Sequence, residues 1–397
     1  MSTLLAFEDA LEEIKHSANV CVEQQTVPLI NAVGRILAAN VIAGISVPPH
    51  DNSAMDGYAL AFSDWQAGKY FSISQRIAAG QHPEPLLPGT CARIFTGANI
   101  PAGADTVIMQ ENAQLAGDKV AFNAQPSIAD NVRPKGQDMQ VGQTVIKAGE
   151  KITPIHIGLL SSLGITDVVV YKQLNVGILT TGDELVPIGE NLKAGQIYNS
   201  NGPMLSALVT HAGHNVSHCI HAADTLEDTK AALKVLMQSC DIILSSGGVS
   251  VGEEDHVKGA LDKLGKVHLW KIAIKPGKPL VHATLQGTPF LGLPGNPSST
   301  LVTYHWFARL LLSICSGQIT ELPQSYLVDA GFNRNKIIQR DEFLRVSIGK
   351  DGLAYAHPQQ SSGALLAASE SQGYLHVKAN TQVEYGHSYP FYPFSAF

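Results

Sequence analysis

Three short polar loops hold the residue types from which a binding site can be built: Thr180-Thr181-Gly182-Asp183-Glu184, Ser245-Ser246-Gly247-Gly248-Val249-Ser250 and Pro294-Gly295-Asn296-Pro297. Each follows an apolar run that reads as a strand. In an open parallel sheet such loops meet outside the carboxyl ends of the strands, where ligands bind. One glycine turn after a strand is only a turn; three from one sheet predict a crevice. Gly247 and Gly248 let the backbone approach an anion closely, and Ser245, Ser246 and Ser250 add hydroxyl donors, so a phosphate is the expected guest. Asn296 as an N-cap and Pro297 at the first helical position, just after Pro294, would aim a helix's positive end into the crevice. Simple capping explains that pair equally well.

Lys271, Lys275 and Lys278 form the one basic cluster, within Trp270-Lys271-Ile272-Ala273-Ile274-Lys275-Pro276-Gly277-Lys278-Pro279. If 271–275 is extended, period-two alternation puts Lys271 and Lys275 on one face, opposite Ile272 and Ile274. Pro276, Gly277 and Pro279 fix Lys278 in a turn suited to holding an anion; the bland alternative is a solvated strand edge. The acidic candidates are Asp56, Glu184, Asp224 and Asp255. Near an oxyanion a carboxylate holds a cation, moves protons, or accepts hydrogen bonds from an amino-heterocycle such as a pterin. Taken singly, Asp224 and Asp255 read as helix caps. Nothing in the spacing brings Arg133, Arg345 or Ser362 to the crevice, so the surface is their default place.

The elements that must position these loops follow from periodicity. From 174 to about 316, apolar strands alternate with glycine-rich turns and helices, the pattern of a mostly parallel α/β sheet. Strands are expected at 176–179, 241–244, 267–274 and 289–293, and helices at 203–212, 226–238, 254–264 and 298–314. An amphipathic N-terminal helix places Phe7, Ala10, Leu11 and Ile14 on one face. A Pro- and Gly-rich stretch holds short strands at 71–77, 91–95 and 106–109. After Pro323 alternation returns, with 343–348 and 353–357 flanking a Gly349-Lys350-Asp351-Gly352 hairpin turn.

These runs divide the 397 residues into four units. Residues 1–45 with 143–173 make a discontinuous N-terminal linker unit, with a helix at 155–163. Residues 46–142 form a small β-rich unit, 174–322 a three-layer α/β/α unit, and 323–397 a C-terminal β-barrel-like unit. The fold class is therefore multidomain, α/β plus β.

A net charge of −7 without a lysine or arginine block argues against nucleic acid. No apolar run approaches the roughly 20 residues needed to span a bilayer, and the N-terminus lacks a signal-peptide pattern, so no membrane is expected. Five cysteines at irregular spacing read as buried thiols of a reducing cytoplasm. The fifteen histidines show no metal-binding spacing, which disfavours a zinc hydrolase.

Together, DNSAMDGYA at 51–59, RIFTGANIP at 93–101, TTGDEL at 180–185, SSGGVSVGEED at 245–255, IKPGKP at 274–279 and GLPGNPSS at 292–299 resemble the MoeA family and the related gephyrin E-domain. The resemblance implies an elongated homodimer whose α/β unit is like the molybdopterin adenylyltransferases, with each active site completed by the partner's small β unit. It implies magnesium-dependent insertion of molybdate into the dithiolene of molybdopterin-AMP, with release of AMP. Matched residue by residue, Asp56 and Thr96 reach the partner's crevice, Glu184, Asp224 and Asp255 are the acidic positions, and Lys271, Lys275 and Lys278 the basic ones. Glu184 and Asp255 are the metal candidates, and Arg345 and Ser362 match residues that hold molybdate. Two departures stand out: Gln137 replaces the usual glutamate before Asp138, and Ser361 and Ser362 replace a single Gly-Ser. Molybdoenzyme maturation proteins are further implied partners. The rival readings are an ATP-using molybdopterin adenylyltransferase, a pterin-binding scaffold, and a nucleotide-processing enzyme.

Overall fold

A computed structural model of the chain describes residues 4–249, 256–320 and 322–397. Its centre is a six-stranded sheet in the order Asn215–Ala222, Asn175–Thr181, Ile242–Ser246, Thr288–Leu293, Val281–Leu285, Gly265–Trp270. The first four strands are parallel; Val281–Leu285 runs antiparallel to both its neighbours. Alternate residues of these strands face two cores, because successive side chains point to opposite faces. Ile242, Leu244, Leu291 and Leu293 pack with Leu205 and Val209 of the Asn201–His211 helix and with Val302, Phe307 and Leu311. Ile243, Phe290 and Ala283 pack with Leu233, Leu236, Val257 and Leu261 on the other side. Three layers result, as periodicity predicts.

Two expected elements are divided. The 267–274 strand ends at Trp270; Lys271 turns left-handed at φ +70°, and Ile274–Lys275 resumes in a different sheet. The 298–314 helix comprises α-helical Pro297–Thr303, a π-helical Tyr304–Ala308 and α-helical Arg309–Cys315. Strands Asn215–Ala222 and Val281–Leu285 lie where no strand is expected from the apolar runs, the first because its exposed edge face reads His, Ser and Asn.

Ile274–Lys275 pairs in parallel with Asp341–Ile348 of the C-terminal sheet, matching Lys275 with Glu342. That sheet continues through Gly373–Val377, Ser388–Pro393 and Tyr326–Asp329. Ala354–Ala356 pairs with the other side of Asp341–Ile348, across the expected hairpin turn, and an Ala330–Ala354 bridge closes the ring. The small β unit is a third six-stranded sheet, with Gly57–Leu60 between Thr106–Met109 and Cys91–Ile94. Gln24–Pro28 pairs with Asp167–Tyr171 and Val41–Ile42 with Thr144–Ile146, joining segments distant in sequence. The Phe7–Ser17 helix buries Phe7, Ala10, Leu11 and Ile14 in the core shared by the α/β and C-terminal units.

Of the cysteines, Cys91, Cys240 and Cys315 are buried, but Cys21 and Cys219 are exposed, which corrects the uniform expectation; all five are free thiols. No helix among the described residues is long and apolar enough to cross a membrane.

Candidate functional site

The three loops meet. A cleft of about 1120 Å³ opens at the carboxyl ends of the parallel strands and is lined by Thr180, Thr181, Gly182, Glu184, Ser246, Gly247, Gly248, Pro294, Asn296 and Pro297. Asp224 enters from the end of the neighbouring strand, and Lys275 and Lys278 from the connection to the C-terminal unit. That unit supplies the opposite wall: Arg334, Lys336, Arg340, Gln360, Ser361 and Ser362. Five cationic side chains therefore face one cavity in a chain that is acidic overall.

Two of the cations are fixed in place. Glu342, buried at 3% exposure, receives Lys275 Nζ at 2.8 Å and both terminal nitrogens of Arg334, at 2.5 and 3.0 Å. One buried carboxylate thus holds two positive charges at the rim, in a forked geometry on the arginine side. Arg340 donates to the Ile274 carbonyl at 3.1 Å, tying the same wall to the Lys275 strand.

The loops are stapled to each other by buried polar side chains. Asn201 Nδ2 donates to Ser246 Oγ at 2.8 Å and to the Gly295 carbonyl at 2.7 Å, and Ser246 Oγ donates to the Pro294 carbonyl at 3.0 Å. The Ser246 proton is therefore committed to the protein; the hydroxyl positions loops rather than donating to a phosphate. Ser245, expected as another donor, is fully buried with its hydroxyl unpartnered and does not line the cleft, because its side chain alternates to the sheet face beside Gly292. At Gly247, φ is +96° and a Cβ would stand 2.7 Å from the Thr181 carbonyl oxygen, so two loops approach through a residue without a side chain. A Cβ on Gly182 would likewise meet the Glu184 carboxylate at 2.7 Å.

Pro297 begins its helix, but Asn296 makes no side-chain cap bond. Thr225, not Asp224, caps the Leu226–Ser239 helix by accepting from the Asp228 amide. Asp224 donates its own amide to Asp183 Oδ1 at 3.0 Å. Lys271 does not line the cleft: its left-handed turn breaks the alternation that would have aligned it with Lys275.

Arg345 is not a surface residue. It is wholly buried, donating to Ser298 Oγ at 2.7 Å and to the Gln359 and Ser361 carbonyls at 3.3 and 3.2 Å. Burial holds its guanidinium below the usual arginine range. The Ser298 amide donates to the Ser362 carbonyl at 2.9 Å, so Arg345 and Ser298 together press the 359–362 loop onto the helix that starts at Pro297. Arg133 is exposed, at the end of a two-residue strand.

Asp56 and Thr96 stand together in the small β unit, outside the cleft lining. The Thr96 amide and hydroxyl both donate to Asp56 Oδ1 at 2.8 Å. These two bonds, with a smaller contribution from Arg93, hold the Asp56 carboxyl below its ordinary range. Ser250 and Asp255 lie outside the described residues.

Arg334, Lys336, Arg340, Asn199 and Asn201 were not legible as site residues. The spacing Arg334-x-Lys336-x-x-x-Arg340 was the available signal, but only the strand pairing through Lys275 carries it to the cleft.

A cationic cleft at the carboxyl edge of a parallel sheet, completed by a second unit, defines a binder of a small anionic molecule. The chain's relatives narrow that class. Residues 5–164 match the family described as MoeA N-terminal region (domain I and II), 177–313 the probable molybdopterin binding domain, and 328–394 the MoeA C-terminal region (domain IV). The molybdopterin molybdenumtransferase of Haemophilus influenzae is 38% identical over 86% of this chain and 85% of its own length. That of Synechococcus elongatus is 32% identical over 93% and 94%. The crystal structure of the molybdopterin biosynthesis MoeA protein from Pyrococcus horikoshii superposes with a TM-score of 0.86 at 26% identity, covering 99% of this chain and 100% of that one. The chain belongs to the molybdopterin molybdenumtransferase family.

Proposed function

We propose that this enzyme inserts molybdate into adenylylated molybdopterin in the cleft, releasing AMP and leaving the molybdenum cofactor. The observation that carries the reading is the cationic wall held by Glu342 opposite the three sheet loops. Lys275, Lys278, Arg334, Lys336 and Arg340 offset the charges of the phosphoanhydride and of molybdate. Because Lys275 and Arg334 are bonded before any ligand arrives, little reorganisation accompanies charge development. Phosphoanhydride cleavage needs positioned cations more than a protein nucleophile, so no covalent enzyme intermediate is invoked.

Glu184 and Asp224 accept hydrogen bonds from the pterin's amino groups or share a magnesium ion. Among the described residues no three His, Cys, Asp or Glu side chains converge as a metal cage. Magnesium, however, takes one or two carboxylates plus substrate phosphate oxygens, and the two cleft carboxylates fit that donor set. When bound, the ion supplies charge neutralisation at the phosphates. Asp255 is assigned to the same site by the family resemblance, as a metal ligand together with Glu184, and Ser250 by its membership of the glycine-rich loop. Ser246, Gly247, Gly248, Pro294 and Pro297 shape the floor, and Ser362 with Arg345 behind it presents the 359–362 loop to molybdate.

Asp56 and Thr96, remote from their own chain's cleft, are proposed to complete the cleft of a second copy in a homodimer. The four units are taken as 1–45 with 143–173, 46–142, 174–322 and 323–397. A cytoplasmic location and hand-over to molybdoenzyme maturation proteins complete the proposal.

The test is AMP release from purified molybdopterin-AMP, with and without molybdate and magnesium, alongside activation of a molybdenum-free apoenzyme. Molybdate-dependent release with activation supports the reading. Tight pterin binding without release would overturn it in favour of a scaffold.

A further inference from the structure

Away from the cleft, and sharing no lining residue with it, lies a cavity of about 310 Å³ where three units meet. Lys151 comes from the linker unit, Leu208, His211 and His214 from the end of the Asn201–His211 helix and beyond, Tyr304 and Arg309 from the divided helix, and Phe394 and Phe397 from the chain's last turn. The π-helical turn, closed by the Arg309 amide on the Tyr304 carbonyl, sets Tyr304 and Arg309 toward it; such turns are rare and often mark functional sites.

Three groups here are unfinished. Arg309 is partly buried, and that burial holds its guanidinium below the usual arginine range. Among the described residues its guanidinium donates one hydrogen bond, to the Ala396 carbonyl at 3.2 Å, and lies 5.7 Å from the Phe397 ring centroid, and no Asp or Glu side chain lines the cavity. A guanidinium has five N–H donors, and buried charge ordinarily meets an opposite charge. The Tyr304 hydroxyl, on a side chain 1% exposed, has no partner, and neither has His214 Nδ1. Burial first and the Lys151 charge second push the His214 imidazole down from 6.5 to about 4. The rest of the lining mixes His211, His305, Ser313 and Gln318 with the apolar Leu208, Ala212, Leu312, Phe394 and Phe397, and Phe397 already stacks on His305 with ring centroids 4.6 Å apart.

We infer that this cavity binds a small organic anion: an acidic group paired with Arg309 and Lys151 and hydrogen-bonded by Tyr304, on a flat apolar body lying against Phe394 and Phe397. Neither a bare oxyanion nor a neutral aromatic satisfies both halves of the lining. The site is separate from the catalytic cleft and does not depend on the reaction proposed there.

The experiment is calorimetric titration of the whole protein with 1-naphthoate, with 1-naphthalenemethanol and inorganic phosphate as the neutral and bare-anion arms. In Lys275→Ala, where the cleft's hold on phosphate is weakened, naphthoate should still bind, phosphate and the alcohol far more weakly. Arg309→Met should weaken naphthoate by roughly tenfold or more, as expected for a lost charged hydrogen bond. Lys151→Met, at an exposed position that leaves the fold intact, should weaken it several-fold, with Lys275→Ala having no effect. The proposal is overturned if naphthoate gives no heat at millimolar concentration or, with the cleft weakened by Lys275→Ala, is matched by either control arm. It is equally overturned if binding survives Arg309→Met and Lys151→Met, or is lost on Lys275→Ala instead.

Discussion

Arg345 Nη1 donates to Ser298 Oγ at 2.7 Å across the junction between the C-terminal and α/β units, and both side chains are fully buried. The guanidinium also holds two carbonyls of the 359–362 loop. Arg345→Met strands those acceptors, so stability should fall by on the order of 3 kcal/mol. Arg345→Lys should lose nearly as much, because an ammonium cannot reproduce the planar fork. Urea unfolding of both variants is the check, and an unchanged midpoint would show that the contact carries no weight.

Glu342 is, among the described residues, the one carboxylate paired with both Lys275 and Arg334. In Glu342→Gln both cations lose their charged anchor, and stability should drop by about 3 kcal/mol, as for breaking a buried ion pair. If their placement serves the substrate phosphates, KM for molybdopterin-AMP should rise roughly tenfold with a smaller effect on kcat. A fall in kcat alone would contradict this role.

His282 and His305 are buried, and burial pushes their pKa values down from 6.5 to about 4 and about 3. His268 and Arg309 respectively add to the depression. Since the unfolded chain takes up these protons first, their contribution is complete above pH 6.5 and is lost as pH falls toward 4. Each imidazole should add a slope of about 1.4 kcal/mol per pH unit across that window. Replacing His305 with Phe should make the decline shallower; an identical profile would mean that His305 does not titrate on unfolding.

If Asp56 serves a partner's cleft, Asp56→Asn and Lys275→Ala should each abolish most activity as homodimers. Random mixing under subunit exchange should restore roughly a quarter of wild-type activity, because half the dimers then carry one intact cleft. Failure of the mixture to recover would place Asp56 and Lys275 in the same cleft of one chain.

At Gly247, alanine would bring a Cβ within 2.7 Å of the Thr181 carbonyl oxygen at a backbone φ of +96°. Gly247→Ala should cost about 2 kcal/mol. Its thermal midpoint and AMP release should fall together; a wild-type midpoint would mean that the loops can separate freely.

What the sequence revealed depended on the range of the interactions involved. The loops at 180–184, 245–250 and 294–297 could be grouped because parallel strands bring their carboxyl ends to one edge whatever the details of packing. Lys271 was misplaced because alternation assumes an unbroken strand, and a left-handed residue in the middle cannot be seen in side-chain pattern alone. Arg345 looked like surface because its partners, Ser298 and the 359–362 carbonyls, are polar groups that only tertiary structure gathers. Arg334, Lys336 and Arg340 reach the cleft through pairing between segments more than sixty residues apart, which no local window contains.

The short Ile274–Lys275 strand leaves the α/β unit and is stitched into the C-terminal barrel beside Asp341 and Glu342. One jaw of the cleft is thereby riveted to the other at that point, where parting them would break strand pairing. Molecules entering or leaving must pass the open mouth, so traffic is governed by what stands at that mouth and not by a hinge behind it.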